Sequence, residues 1–414
     1  MPPRSRVAHI LVYHVISTLL VSTGGFTLFA MFPLIARLRF GAGDWQTAMV
    51  TAAVPTLLLA SIFWSELLRR ISPARYLVIH WLTAMLPIAF IAGARNFEHL
   101  LICYIVASAG FGGWSPVNGI LLKRFYKDST RGRAYGVLNA AQLIGGMATV
   151  WVIGRWQTGD PDAFRIFLPG VVLIQGLGVA ILIRLATITE DRTPAAPSEK
   201  RPWSGVLAPV IHMHRTLRAD RNFLRYEAAF MTYGAGFMIC EVLLPVLVTD
   251  KLHLNYEEFA ERAVVAQRLG MLALALPMGW VMDRIGATRT SGLSFAWLGL
   301  YPILLLLATG PNGLTAASAL FGFAMAGVVV GWMLGPVALA PSPEKVPHYV
   351  AIHATLVGFR GILFQGLGML LYRMSGSFTW PLALASFAFV AGAWQMWKLH
   401  GRMRGSPPPQ NFKT

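Results

Sequence analysis

Charged residues are scarce in this chain, and acidic residues are the scarcest of them. Only 13% of its 414 residues are charged, and 18 Asp and Glu residues stand against 35 Lys and Arg residues. A soluble protein carries about 25% charged residues. With 55% hydrophobic residues and a mean hydropathy of +0.56, the deficit excludes an ordinary water-soluble protein and indicates that most of the surface faces lipid.

Catalytic and metal-binding patterns are also missing. The two cysteines, Cys103 and Cys240, lie inside apolar segments, so the sequence predicts neither a disulfide framework nor a metal site. It contains no Gly-Lys-Ser phosphate loop, which argues against an ATP-driven pump, and no nucleophile or metal-ligand spacing typical of an enzyme. We therefore predict a protein that is not an enzyme and needs no cofactor.

Long apolar segments dominate the chain instead. A helix needs about 20 apolar residues to cross a hydrocarbon core about 30 Å thick, and the sequence has twelve segments of that kind. This predicts an all-α integral membrane protein with twelve transmembrane helices. The segments cover residues 8–36, 44–66, 74–94, 98–121, 133–155, 165–186, 224–249, 259–281, 289–309, 313–339, 347–372 and 378–398.

The net charge of +17 is explained by its distribution between the loops. If the N-terminus is cytoplasmic, 25 of the 35 Lys and Arg residues fall on the cytoplasmic side, which is the bias that orients membrane proteins. The basic runs therefore indicate contact with anionic lipid headgroups and no nucleic-acid partner. We expect a multi-pass protein of a bacterial inner membrane with both termini in the cytoplasm.

The segments divide into two halves of six. A polar stretch at 187–223 begins with mixed charges and the prolines Pro194, Pro197 and Pro202, and a short amphipathic pattern follows, which predicts a cytoplasmic linker with a helix on the membrane face. It separates a predicted N-terminal bundle at 1–186 from a C-terminal bundle and tail at 224–414. Tyr135 and Tyr349 are as far apart as Arg69 and Asp283, which supports an internal duplication of the kind found in transporters.

A charged loop between predicted spans eight and nine carries the most specific motif, and it comprises Gly279, Asp283, Arg284, Gly286 and Arg289. The spacing resembles the Gly-x-x-x-Asp-Arg-x-Gly-x-x-Arg signature of the major facilitator superfamily. The resemblance covers all twelve predicted spans. It implies two pseudo-symmetric six-helix bundles around a central cavity, alternating access, and a loop that acts as a conformational latch. The alternative is a simple tight turn with solvated charges.

The first copy of this loop departs from the signature. Arg69 stands where the acidic residue is expected and Ser72 stands in place of the second glycine. Glu66 lies three residues before Arg69, on nearly the same helix face, and we expect it to supply the missing negative charge. The latch prediction for this half therefore comprises Glu66, Arg70 and Arg75.

Three charges stand out inside the predicted spans, and a charge at membrane depth is by default a functional candidate. Arg268 and Arg360 each lie about 16 Å from the cytoplasmic end of their helices, and Glu241 lies about 13 Å from the outer end of its helix. We predict that the arginines bind an anionic group of the substrate, that Glu241 pairs with one of them, and that Glu241 and His353 carry a coupling proton. A structural ion pair and a packed histidine are the alternatives.

Neutral polar and aromatic residues complete the predicted substrate site. Asn139 and Gln142 share a face of span five that corresponds to the face of span eleven with His353 and Arg360. Trp114 and Trp332 lie at repeat-equivalent places in spans four and ten, where they either line a cavity or fill space between helices.

These features predict a secondary transporter that moves a small organic anion, with proton symport as a further expectation. An exporter of drugs or lipids is the alternative. Span four lacks an early arginine and span five lacks a Gly-Pro pair, both typical of drug–proton antiporters in the superfamily, which disfavours that alternative. A membrane scaffold or sensor without transport is the third possibility. The expected partners are the substrate, protons and membrane lipids, and the expected state is a monomer.

Overall fold

The computed structural model describes residues 3–189, 211–342 and 345–404. Over these residues the chain is helical, with no β-strand. In this part of the chain, ten of the twelve predicted spans are helices long and apolar enough to cross a membrane, and the helices of the first and eighth predicted spans are not among them. An apolar segment in lipid must satisfy its backbone hydrogen bonds internally, which a helix does. The predicted all-α membrane architecture is confirmed.

The first six long helices belong to one compact unit, which comprises Met1–Val206 and Asn255–Val265. The first helix is followed by short helical pieces at Phe26–Phe29 and Phe32–Leu34 and a π-helical turn at Ile35–Arg39, so the first predicted span is interrupted. The helices are α1 (Pro3–Ser22), α2 (Asp44–Arg70), α3 (Pro73–Ile91), α4 (Phe97–Phe125), α5 (Asp128–Gly159) and α6 (Phe164–Ile188).

The other six long helices belong to a second unit, which comprises Leu207–Leu254 and Ala266–Thr414. A short linker helix, Met213–Ala219, precedes them; the linker residues 190–210 lie outside the described part of the chain. The predicted domain boundaries stay predictions. The helices are α7 (Arg221–Val246), α8 (Ala266–Ile285), α9 (Ala287–Leu307), α10 (Pro311–Leu339), α11 (Val346–Ser375) and α12 (Thr379–Arg404).

Glycine allows close helix packing inside each unit. In the first unit, a side chain at Gly110 of α4 would collide with the backbone of Ala84 on α3. In the second, Gly236 of α7 faces the carbonyl of Ala385 on α12, where a Cβ would lie 2.6 Å from that oxygen. Small residues are the usual means by which membrane helices approach each other. In the second unit they bring α7 close to its neighbours, among them α11, which carries the buried polar residues His353, Thr355, Arg360 and Gln365.

Candidate functional site

A buried histidine–carboxylate pair joins α7 to α11. The Nδ1 atom of His353 lies 3.0 and 2.9 Å from the two carboxylate oxygens of Glu227. Both side chains are only 3% exposed. The rings of Tyr226, Phe230 and Trp332 surround the imidazole, and its Nε2 atom is buried without a hydrogen-bond partner. The pair is therefore a desolvated ionisable site rather than a surface salt bridge.

The second polar contact between these helices is made by Arg360, two turns after His353 on α11. Its Nη1 donates a hydrogen bond to the backbone carbonyl of Phe230, 3.0 Å away, and its guanidinium carbon lies 5.4 Å from the ring centre of Tyr233. Its Nε atom is buried without a partner. The absent side chain of Gly234 makes room for the guanidinium. No carboxylate forms an ion pair with Arg360 in the described part of the chain.

The third contact lies further along the same two helices. The Nε2 of Gln365 donates to Oε2 of Glu241 at 3.2 Å and lies 3.6 Å from the sulfur of Met238. Glu241 is half-buried. We predicted that it would pair with Arg268 or Arg360, but its described hydrogen bond comes from Gln365, and neither arginine forms an ion pair with it in the described residues. The neutral amide satisfies the carboxylate without cancelling its charge.

Arg268 lies on a different helix, α8, and it is not part of the α7–α11 contacts. Its Nη1 lies 3.7 Å from the sulfur of Met271, one turn away, and its Nε is buried without a partner. A thioether is a weak acceptor. Arg268 is therefore a second arginine at membrane depth with no described counter-ion.

The two predicted tryptophans occupy similar surroundings in their own units. In the second unit, Tyr226 donates a hydrogen bond to the carbonyl of Gly331, 2.8 Å away, next to Trp332. In the first unit, Tyr76 donates to the carbonyl of Gly113 at 2.7 Å, next to Trp114. Each tryptophan also contacts a buried histidine, which is His353 for Trp332 and His80 for Trp114. Both tryptophans are half-buried.

Asn139 and Gln142 lie on α5 of the first unit. Asn139 is half-buried and Gln142 is exposed. In the described part of the chain, no hydrogen bond is found for the side chain of either residue. Their role in substrate binding stays a prediction.

The latch residues are partly described. Gly286 has a φ of +81°, so the turn between α8 and α9 uses a left-handed conformation that favours glycine. The guanidinium of Arg284 lies 3.6 Å from the ring centre of Trp280, and Arg289 is half-buried. The side chain of Asp283 and the environment of Gly279 lie outside the described part of the structure.

In the first copy of the loop, Glu66 is paired within its own helix. Its carboxylate lies 2.8 Å from Arg70 and 3.4 Å from Arg69, and Glu66 itself is buried. Arg75 is exposed, and its backbone N–H donates to the Ser72 side chain that caps α3. Glu66 thus carries negative charge at the place where the signature is degraded. A latch function for either loop stays a prediction.

Comparison with known proteins identifies the family. The model of the Major Facilitator Superfamily matches residues 15–266. The chain belongs to the Major Facilitator Superfamily. A gallate transporter of Pseudomonas putida is 23% identical over 370 residues, which are 76% of this chain and 75% of that protein.

Solved transporters share the superfamily fold. A peptide transporter in complex with sulfate has a TM-score of 0.77 at 13% identity, with 95% of this chain and 94% of that chain covered. A POT family transporter in complex with 5-aminolevulinic acid has a TM-score of 0.74 at 12% identity over 95% and 96%. The nucleoside transporter NupG has a TM-score of 0.65 at 14% identity over 96% and 99%. At these identities the likeness establishes the fold alone.

The chain is thus a multi-pass membrane transporter of small solutes and not an enzyme. The sequence pointed to His353, Arg360 and Glu241 but missed the partners of two of them, Glu227 and Gln365. Glu227 lies three residues inside the start of its predicted span. Charges are common there, so its position did not indicate a functional role. A signal was present, because Glu227 is the only acidic residue in the first half of that span.

Proposed function

We propose that this facilitator moves a small organic anion with a carboxylate group across a bacterial inner membrane by alternating access, with proton coupling. The observation that carries the proposal is the Arg360 guanidinium, which is 5% exposed and has no carboxylate partner in the described residues. Glu227 and Glu241 act on this charge from a distance, but neither pairs with it directly, and a charge at membrane depth costs at least about 2.5–3.5 kcal/mol on insertion scales. An anionic substrate would offset that cost.

The chemistry around Arg360 suits a carboxylic acid. A guanidinium donates hydrogen bonds in pairs to a carboxylate, and the Nε of Arg360 is still without a partner. The buried ring of Tyr233 lies beside the same group and is stacked on Phe295 at 4.2 Å between ring centres, so it helps to hold the guanidinium in place. The relative from Pseudomonas putida is a gallate transporter, and gallate is an aromatic carboxylate. A solved neighbour holds sulfate, another anion.

The remaining predicted residues keep their roles within this proposal. Arg268 is the second candidate for the anionic group, because its Nε is also buried and unpaired. Trp332, Trp114, Asn139 and Gln142 are candidates for the rest of the substrate. Glu241 and His353 are the candidates for proton coupling, since both are ionisable groups in contact with α7 or α11.

Uptake by purified protein in liposomes tests the proposal. We expect an inward proton gradient to drive uptake of radiolabelled gallate or a related benzoate, and Arg360→Ala to reduce uptake about 10- to 100-fold. That range corresponds to losing a charge-assisted hydrogen bond worth about 1.5–3 kcal/mol. Arg373→Ala is the matched control, because Arg373 lies in the last turn of the same helix and is exposed. It should retain wild-type uptake.

The alternative, an exporter of drugs or lipids, gives different results in the same assay. Transport of cationic or neutral amphipathic compounds that survives both Arg360→Ala and Arg268→Ala, together with no uptake of any carboxylate in the panel, would reject the anion proposal. The melting temperature of each variant separates loss of transport from loss of folding.

A further inference from the structure

The contact between His353 and Glu227 engages one ring nitrogen and leaves the other without a partner. The Nδ1 atom is nearly equidistant from both carboxylate oxygens, at 3.0 and 2.9 Å. A single N–H shared between two oxygens explains this arrangement, whereas a protonated carboxyl group could donate from only one oxygen. With Nδ1 assigned as the donor to Glu227, the Nε2 atom, which has no partner, is the position left to gain or lose a proton.

We propose that the coupling proton is carried on Nε2 of His353, with Glu227 as the fixed counter-ion that orients the ring. This inference rests on the proposed function and names its coupling site. Gaining a proton from water on one side turns the pair from a buried net charge of −1 into a neutral imidazolium–carboxylate pair. Releasing that proton to the other side restores the first state. No bond other than N–H forms or breaks.

The surroundings favour a site that responds to substrate. The charged and titratable groups around the pair on its own helices include Tyr226, which contacts the His353 ring, Tyr233 and Tyr349, and Arg360 with the more distant Glu241. Arg360 lies about 10 Å from His353 along α11, and its positive charge opposes protonation of Nε2. A carboxylate bound to Arg360 would remove that opposition and raise the proton affinity about tenfold, as expected for two charges at that distance with an effective dielectric constant of about 20. Anion and proton would therefore bind together.

The charged and titratable groups described on the neighbouring helices have other contacts, so Glu227 remains the partner of His353. Trp332 on α10 contributes a ring to the pair. On α12, Lys398 lies over the ring of Trp394 and His400 contacts Thr288. On the linker side, Asp220 accepts hydrogen bonds from the N-terminus of α7 and from Tyr349. The basic and titratable residues of the linker helix, His214, Arg215 and Arg218, are exposed.

A nitrogen titration tests the site without any substrate. We would record 15N spectra of histidine-labelled full-length protein in lipid nanodiscs as a function of pH, and identify the His353 signals by their loss in His353→Gln. We expect Nδ1 to stay protonated throughout while Nε2 titrates. In Glu227→Gln, which keeps an oxygen acceptor of similar shape, the Nε2 midpoint should fall by about one pH unit or more, since the counter-ion is gone.

Two results of this titration would overturn the inference. One is a titrating Nδ1 with a constantly protonated Nε2. The other is an unchanged Nε2 midpoint in Glu227→Gln while the melting temperature shows a folded protein. His99→Gln is the control for the labelling, because His99 lies at the exposed start of α4.

A transport experiment tests whether this proton is the coupled one. In gallate-loaded liposomes, Glu227→Gln and His353→Gln should keep exchange of internal for external gallate but lose at least tenfold in uptake driven by a proton gradient. Glu98→Gln, an exposed carboxylate in the first turn of α4, should leave both rates unchanged. Loss of gradient-driven uptake in Glu241→Gln alone, with normal uptake in Glu227→Gln, would assign the proton to Glu241 and reject the inference.

The two proposals fail in distinguishable ways. If no carboxylic acid in the panel is transported by the wild-type protein, the proposed function fails. The nitrogen titration still decides whether Nε2 of His353 gains and loses a proton with Glu227 as its counter-ion. If gallate is transported and the titration shows no such exchange, the coupling site fails and the anion transport stands.

Discussion

At the scale of single residues, the space for the Arg360 guanidinium depends on a missing side chain. A Cβ added at Gly234 would lie 2.5 Å from Cδ and 2.7 Å from Cζ of Arg360. These atoms belong to the flexible end of a long side chain, which can move. A small addition at this position would therefore displace the guanidinium and leave the helix packing largely intact.

This yields a prediction that separates function from stability on one helix. Gly234→Ala should reduce gallate uptake by about tenfold or more, as expected when a charged group loses its place beside the substrate, with little change in melting temperature. Gly236→Ala should instead destabilise the protein by about 1–3 kcal/mol, because the added group meets the rigid carbonyl of Ala385. Uptake assays and thermal unfolding of both variants check this.

A control for helix propensity is available on α11. A Cβ at Gly366 would meet open space, so Gly366→Ala should leave uptake unchanged and keep or slightly raise the melting temperature. Normal uptake in Gly234→Ala would show that the position of the Arg360 guanidinium does not matter for transport.

Sequence alone could select several of these residues but not their partners. Arg360 and Glu241 are recognisable because each is a charge inside an apolar run. Whether Glu241 meets an arginine or Gln365 depends on the rotation of α7 against α11, which hydropathy does not encode. Glu227 was missed because charges near the end of a membrane helix usually reach water, whereas this one is buried against His353.

At the scale of helices, the segment Asn255–Val265 packs against the C-terminal end of α5. Arg155 of α5 contacts Glu257 at 2.9 Å and Glu261 at 3.1 Å, and Trp151 donates a hydrogen bond to Glu261. Gly154 faces Ala260, and a Cβ there would lie 3.0 Å from the carbonyl oxygen of Tyr256. The segment is thus held both by exposed charges and by close backbone packing.

Magnitudes decide which of these contacts matters more. An exposed salt bridge contributes about 0–1 kcal/mol, and the side chain of Arg155 is 48% exposed. Overpacking a tight contact costs about 1–3 kcal/mol. We therefore expect Gly154→Val to lower the melting temperature more than Arg155→Ala does. The reverse order in thermal unfolding would show that the ion pairs dominate.

The helices themselves were largely predictable because lipid imposes the rule that each apolar run must be helical. The interruptions of these helices were less predictable. The π-helical turns at Ile35–Arg39, Leu247–Lys251 and Ala260–Val265 lie near the ends of apolar runs, where hydropathy changes gradually. Their positions depend on packing within the unit rather than on composition.

At the scale of the whole molecule, the placement of Lys and Arg predicts the orientation in the membrane. The loop after α11 is then outside, and the loop after α10 is cytoplasmic. The chain has only two cysteines, of which Cys240 is buried. Two substitutions therefore give a background without cysteine. In that background, Ser377→Cys should react with a membrane-impermeant maleimide in intact cells, and Ser342→Cys only in inverted vesicles. The opposite labelling pattern would reverse the predicted topology.

The α7–α11 contacts have a mechanical consequence for the second unit. The three contacts advance in the same direction along both helices, at 227, 230–234 and 241 on one and at 353, 360 and 365 on the other. A slide of one helix by a single residue, about 1.5 Å, would misalign all three at once. We therefore expect the two helices to move together. Under the proposed alternating access, His353 and the Arg360 guanidinium would keep a constant separation while the helices around them rearrange.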